Sequence, residues 1–398
     1  MKIPLNTSTF NELEINAAID VLHSGFLTMG EKCFKFEDEF ARYIGAKNAI
    51  YVNSGSSANL LAFFALVNSF CPTSKFGGQK LNPGDEVIVP AVTWSTTIWP
   101  VVQAGLTPVL VDSDPYTLQM DPNAVRKAIT SKTKAICPVH VLGNAVQLNE
   151  ISNISKEHKL WLIEDTCESL GTKYSDKYVG TYGDIGTYSF FFSHHITTIE
   201  GGMIVTNNDD MAELFRAMRA HGWTRHLKDR KKQENLYPEI DPRFLFITTG
   251  FNLRPTEINA AFGLQQLKKL SQFNQSRRDV TDFWITELDE IIKNGLIKPM
   301  QITENTIPTW FGFPIICESK KLRNGLQAHL EKNGIETRPI ICGNLARQPA
   351  LKSVNHRIAS ELTGADKVMD QGLFWGSHPM MTQEEKEYVL KVVKEFFK

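Results

Sequence analysis

Seven short apolar runs, rich in valine and isoleucine, recur through the first half of the chain: AIYVN, DEVIVPAV, TPVLVDSD, KAICPVHVLGN, LWLIEDT, GTYSFFF and GGMIVTNN. A strand covered on one face alternates apolar and polar positions, so unbroken runs predict strands buried on both faces. Helical patterns and turn signals separate the runs, which predicts an α/β domain with a mostly parallel central sheet covered by helices. In such a sheet, ligands collect beyond the carboxyl ends of the strands.

After about residue 250 the texture changes. The stretch INAAFGLQQLKKLSQFNQSRRDVTDFWITELDEII reads as a long amphipathic helix leading into a separate lobe, and TWFGFPIIC and GIETRPIICG read as strands of that lobe. The expected organisation is a large domain over residues 1–250 and a smaller C-terminal α+β domain over 251–398. The charged segment from His226 to Arg243 reads as a solvated or partner-facing loop.

Composition narrows the partners. With 42% hydrophobic residues, 22% charged residues and a formal net charge of -1, the chain has no electrostatic reason to seek nucleic acid or an anionic membrane. The expected partner is a small molecule. Six cysteines without a CxxC pair argue against a zinc ribbon or a redox motif and read as free thiols of a reducing compartment. The longest apolar run, Leu60 to Val67, is far short of a membrane span, and the first residues have no signal-peptide core, so the expected location is cytoplasmic.

Three strand ends carry candidate chemistry. In YVNSGSSANLL a small-residue turn, Ser54 to Ser57, opens a helix. Unhindered N–H groups at a helix start suit a phosphate, although a serine N-cap leaves the same pattern. Asp165 follows the run LWLIED; it either caps the next helix or holds a ring nitrogen protonated, as a pyridoxal cofactor acting as electron sink requires. Trp94, in AVTWSTT, either stacks on a planar ring or packs.

Taken in order, SGSSAN, AVTWSTT, EDTCESLGT, SFFFSHHITTIEGGMIVTNN and GFNLRPTEINAAFG resemble the DegT/StrS-type sugar aminotransferases, fold-type I pyridoxal phosphate enzymes, over nearly the whole chain. The resemblance implies an aspartate aminotransferase-like fold. It places Gly55 and Ser56 in the phosphate-binding turn, with Ser189 as a phosphate-binding hydroxyl. Trp94 becomes the ring-stacking aromatic and Asp165 the partner of the pyridine nitrogen. Glu168 stands near the ring hydroxyl, where most of these aminotransferases have glutamine. Asn252 matches an asparagine that reaches the phosphate of the neighbouring subunit's cofactor, which implies a homodimer with shared active sites.

One position departs from the pattern. His194 occupies the place of the lysine that anchors the cofactor, and no lysine occurs from Val179 to Leu227. The stretch SHHITTIEGG, together with RAHGWTR, is similar to the sugar 3-dehydratases of this family. That implies pyridoxamine phosphate alternating with pyridoxal phosphate; the cysteines are not clustered as an iron-sulfur cluster would need, so neither a cluster nor another metal is expected. It implies a nucleotide-linked 4-keto-6-deoxy sugar, foremost GDP-4-keto-6-deoxymannose, that loses its carbon-3 hydroxyl with L-glutamate as amino donor. Imidazole, with an unperturbed pKa of about 6.5, suits the proton transfers this needs. His221 matches a second histidine of the dehydratase pattern, and Trp310 and Arg338 are the expected substrate contacts. Two alternatives stand beside this reading: an aminotransferase making an amino sugar, and a non-catalytic cofactor-binding regulatory protein.

Overall fold

The computed structural model describes all residues, Met1 to Lys398. Each of the seven apolar runs forms a strand. These are β1 (Asn48–Val52), β2 (Glu86–Pro90), β3 (Thr107–Val111), β4 (Thr133–Ile136), β5 (Trp161–Asp165), then, after the short pair β6 (Lys173–Tyr174) and β7 (Lys177–Tyr178), β8 (Ile185–Ser189) and β9 (Gly202–Thr206). Further along lie β10 (Ile297–Pro299), β11 (Thr306–Ile307), β12 (Phe313–Cys317), β13 (Thr337–Arg338), β14 (Arg357–Ile358) and β15 (Gly372–Trp375).

The main sheet runs β1-β9-β8-β5-β4-β2-β3-β14. Every pairing is parallel except the two made by β9, which runs antiparallel to both β1 and β8. β1, β2, β5, β8 and β9 are buried at every position, as expected for strands covered on both faces.

A second sheet, β10-β12-β15-β13, is wholly antiparallel and carries the helices Lys320–Lys332 and Gln383–Phe396. Its core gathers Ile297, Phe313, Ile315, Trp375 and Val389, and it also takes in Ile3 from the far end of the chain. The Ile3 N–H donates to Gly334 O at 2.8 Å, and the Glu336 N–H returns to Ile3 O at 2.9 Å.

One long helix, Glu257–Glu287, serves both lobes. Ala260, Leu264, Leu267, Leu270 and Phe273 pack with Phe36 and Phe40 against the large sheet, whereas Val280 and Trp284 enter the core of the small one. Its first residue also organises a neighbour. The helix Glu31–Ile44 begins at Gly30, which offers no capping side chain, and the Glu257 carboxylate accepts from the N–H groups of Gly30, Lys32 and Cys33 at 2.7–2.9 Å. A carboxylate there also meets the positive end of the helix dipole. The segment from His226 to Arg243 contains the short helix Arg230–Leu236, none of whose residues is buried; the charge run folds locally instead of remaining a plain loop.

Candidate active site

Five parallel strands of the main sheet open at their carboxyl ends into one cleft of about 400 Å³. β1 delivers Ser54–Ser56, β2 delivers Thr93 and Trp94, β4 delivers Val139, β5 delivers Asp165, Cys167 and Glu168, and β8 delivers Ser189 and His194. Ile341, after β13, closes the cleft from the smaller lobe.

At the phosphate turn the two readings of the serines divide between residues. Ser54 is the N-cap: its hydroxyl accepts from the Ser57 N–H at 3.0 Å. The N–H groups of Gly55 and Ser56 belong to the first turn and have no intrahelical acceptor, which leaves them for a ligand. Glycine is required at 55, because a Cβ there would stand 2.5 Å from Ser189 Cβ and 2.9 Å from its hydroxyl. The close approach sets the helix start against Ser189, so amides and hydroxyl converge on one point.

Asp165, 4% exposed, sits in a network that orients it completely. Its Oδ2 accepts from Asn59 Nδ2 and Thr97 Oγ1, both at 2.8 Å, and its Oδ1 accepts from the Cys167 N–H at 3.2 Å. Because Thr97 gives its proton to the carboxylate, it accepts from Thr93 Oγ1 at 2.8 Å. Thr187 in turn donates to Asn59 Oδ1 at 2.6 Å. Donors alone meet this carboxylate, which keeps it an acceptor that can hold a cationic N–H in the cleft.

His194 is fixed through one nitrogen. Its Nδ1 lies 2.7 Å from Cys167 O. A carbonyl only accepts, so Nδ1 carries the proton and Nε2 is the basic nitrogen. The ring stands edge-on to Phe311 and Phe191, with centroids 5.1 and 6.2 Å away. Burial pushes its pKa down to about 4, assisted by the Arg277 charge and opposed by the Cys167 carbonyl and by Asp165. Glu168 shows the converse. Burial pushes it up to about 7, against the hydrogen bond its Oε2 accepts from the Leu142 N–H at 3.0 Å. The upward shift favours the protonated carboxyl, in which form it can donate.

Trp94, at 58% exposed on the cleft rim, is open where a packing tryptophan would be covered. The sequence reading missed Glu200, which also lines the cleft and whose pKa burial raises. It follows Ile199, a β-branched residue at φ +71, held by its N–H to Thr197 Oγ1 at 2.8 Å. Strain of this kind gathers at functional sites.

The sequence model of the DegT/DnrJ/EryC1/StrS aminotransferase family matches residues 8–394. The chain belongs to this family. It is 39% identical to GDP-4-keto-6-deoxy-D-mannose 3-dehydratase of Yersinia pseudotuberculosis, over 99% of this chain and 98% of the relative. A crystal structure of GDP-4-keto-6-deoxymannose-3-dehydratase, a histidine-to-asparagine mutant with bound GDP-perosamine, superposes with a TM-score of 0.89 at 38% identity, covering 98% of this chain and 100% of that one. Another, with a trapped PLP-glutamate geminal diamine, gives a TM-score of 0.88 at 37% identity with the same coverage. The fold is that of the pyridoxal phosphate aminotransferases, as the sequence implied.

Four of the expected site residues, His221, Asn252, Arg338 and Trp310, lie outside the cleft lining. His221 is exposed at φ +65, its N–H donating to Phe251 O at 2.7 Å, and the adjacent Ala220 bridges Asn252. These two residues therefore share one exposed edge. Arg338 is exposed at the end of β13 and donates only to its own neighbour, Thr337 O, at 2.8 Å. Trp310 is a correction: 1% exposed, it belongs to the main hydrophobic core. Its backbone lies so close to Gly143 that a Cβ there would come within 2.4 Å of Trp310 N, and its carbonyl accepts from Arg277. It supports the cleft from behind and has no surface for a substrate.

A pyridoxal-type cofactor fits these residues. The Gly55–Ser189 contact forms a cradle that a Cβ would fill, and a donor-bound carboxylate stands across the same cleft. No set of three or more histidine, cysteine and carboxylate side chains is arranged for a metal, and no helix is long and apolar enough to cross a membrane.

Proposed function

We propose that the chain is a pyridoxamine phosphate-dependent 3-dehydratase. It removes the carbon-3 hydroxyl of a nucleotide-linked 4-keto-6-deoxy sugar, GDP-4-keto-6-deoxymannose, and gives the 4-keto-3,6-dideoxy sugar for O-antigen synthesis. The observation that carries the reading is His194. At the position where this family's aminotransferases hold a lysine, the cleft presents an imidazole whose Nδ1–H is engaged by Cys167 O, leaving Nε2 as a free base.

When bound, pyridoxamine phosphate supplies an amine for the sugar's keto group and a ring that draws off electrons. Gly55 and Ser56 amides and the Ser189 hydroxyl would hold its phosphate, and Trp94 would be the aromatic available to its ring. Asp165 Oδ1, the oxygen with a single donor, would hold the ring nitrogen's proton, and Glu168 would serve the ring hydroxyl. With the cofactor and sugar bound, His194 Nε2 would be the group placed to accept a proton and to deliver one to the departing hydroxyl. Histidine has no amine with which to capture the cofactor, so water releases the product. The sum balances as keto sugar plus glutamate giving dideoxy keto sugar, 2-oxoglutarate and ammonia.

Asn252 and His221, outside the cleft of their own chain, are assigned to the cleft of a second copy, which makes a homodimer with shared sites. Arg338 and the rim nearby are assigned to the nucleotide sugar.

Incubation with pyridoxamine phosphate, glutamate and GDP-4-keto-6-deoxymannose tests this. Ammonia and a sugar lighter by one oxygen are expected. A stable amino sugar would instead make the chain an aminotransferase, and absence of turnover with a panel of nucleotide keto sugars would make it a binding protein.

A further inference from the structure

Behind His194 lies a second group of polar side chains that the chemistry above does not use. Arg277, on the long helix and 1% exposed, donates through Nη1 to Trp310 O and Phe311 O at 3.3 and 3.2 Å, while its Nε and Nη2 have no protein acceptor. No carboxylate pairs with it; burial alone depresses its pKa, to about 10. Around it His195 and His378, 0% and 2% exposed, have both ring nitrogens unpartnered, as are the Ser377 hydroxyl and Trp375 Nε1.

The placement of these groups follows from the fold. Trp284, two helical turns after Arg277 and so on the same face, packs against Trp375 with centroids 5.9 Å apart. Ser377 and His378 leave the end of β15 just beyond. His195 approaches from the opposite side, 5.8 Å from the ring of Phe311, whose carbonyl Arg277 holds. Arg277's charge bears on both His195 and His378. The one acid whose charge reaches this group is Glu385, and its Oε2 is occupied by the Thr382 N–H and hydroxyl.

From this arrangement we propose a buried binding site for a small monovalent anion of the halide class, held by the free Nε–H and Nη2–H of Arg277 with Ser377, Trp375 and His378. Donors outnumber acceptors among these unpartnered side chains, and an unpaired guanidinium removed from water needs a negative partner.

The test is the melting temperature of the holoenzyme in sodium bromide against sodium gluconate at constant ionic strength. A rise of about 2 °C for each tenfold in bromide above its dissociation constant, and none well below it, is expected. Arg277→Met abolishes the rise, and Ser377→Ala weakens bromide binding about fivefold. Anomalous scattering from bromide-soaked wild-type crystals places a peak beside Arg277 Nη2, and this arm stands even if Arg277→Met does not fold. Equal melting temperatures in bromide and gluconate, an unchanged rise in Arg277→Met, or only water beside Arg277 in the bromide crystals each overturns the site.

Discussion

The Asp165 side of the cleft and the edge carrying His221 and Asn252 are built in opposite ways. Asp165 is buried and meets three donors from three separate segments, so its position is set within one chain. His221 and Asn252 are exposed; His221 is held by its backbone at positive φ, and Asn252 Oδ1 accepts only from Arg254 Nε at 3.0 Å. The first region is pre-organised by its own chain, and the second is shaped but unengaged. A site divided this way can bind its cofactor through buried, local contacts and still depend on assembly for turnover.

The largest effect belongs to the base itself. His194→Ala should lower turnover by roughly 10²–10⁴-fold while cofactor still binds, read by single-turnover kinetics beside a cofactor absorbance titration. Dehydration at the wild-type rate in that variant would remove His194 from the mechanism. Next comes the exposed edge. Asn252→Ala should weaken cofactor binding by about 10–100-fold, the worth of a hydrogen bond to a charged group. If the edge serves the partner's cleft, mixing His194→Ala with Asn252→Ala subunits should restore about a quarter of wild-type activity through hybrids with one intact site. Failure of mixed dimers to recover any activity would place both residues on the same site.

On the buried side the effects are read as stability. Thr97→Val removes one donor from Asp165 and strands the Thr93 hydroxyl, costing about 1–3 kcal/mol by urea unfolding of the cofactor-free protein. Protonation gives a finer comparison. His194 is held near a pKa of about 4, below its ordinary 6.5, so the unfolded chain takes up a proton that the folded one resists. Stability should therefore fall as pH drops from about 6.5 toward 4, and His194→Ala should flatten that slope. Glu168, raised to about 7, has the reverse sign: the folded carboxyl keeps a proton that the unfolded one releases above about 4.5, and its contribution is lost as pH rises to 7. Glu168→Gln, which imitates the protonated form, should remove this dependence and change turnover only a few-fold, the smallest effect of the set.

The large sheet was legible because burial on both faces writes itself into each strand as an unbroken apolar run. β14 was not, since Arg357 and Ile358 pair with β3 across some 250 residues and two residues carry no pattern of their own. Pairings this distant are fixed by tertiary packing, which also lets the small lobe recruit Ile3. The strand ends exposed Asp165, Ser189 and His194 to sequence reasoning. The groups that orient them, Asn59, Thr97 and the Cys167 carbonyl, are ordinary until the fold brings them within hydrogen-bond distance. Trp310 misled for a related reason: an aromatic beside a predicted strand looks equally suited to substrate or core, and only the closeness of Gly143 decides.

The reversed strand β9 bears on how His194 is held. In a parallel pair, the chain leaving β8 would have to cross the whole sheet before returning. Because β9 is antiparallel, the segment carrying His194 leaves Ser189 and re-enters at Gly202, its direct partner across the ladder. The segment is a short tether with both ends pinned side by side, so few conformations are open to it and little entropy is lost when the imidazole takes its place. Insertions in this tether should therefore be tolerated far less well than those in the crossover loops at the opposite end of the sheet, and the reach of the base is set by the length of the tether as much as by its chemistry.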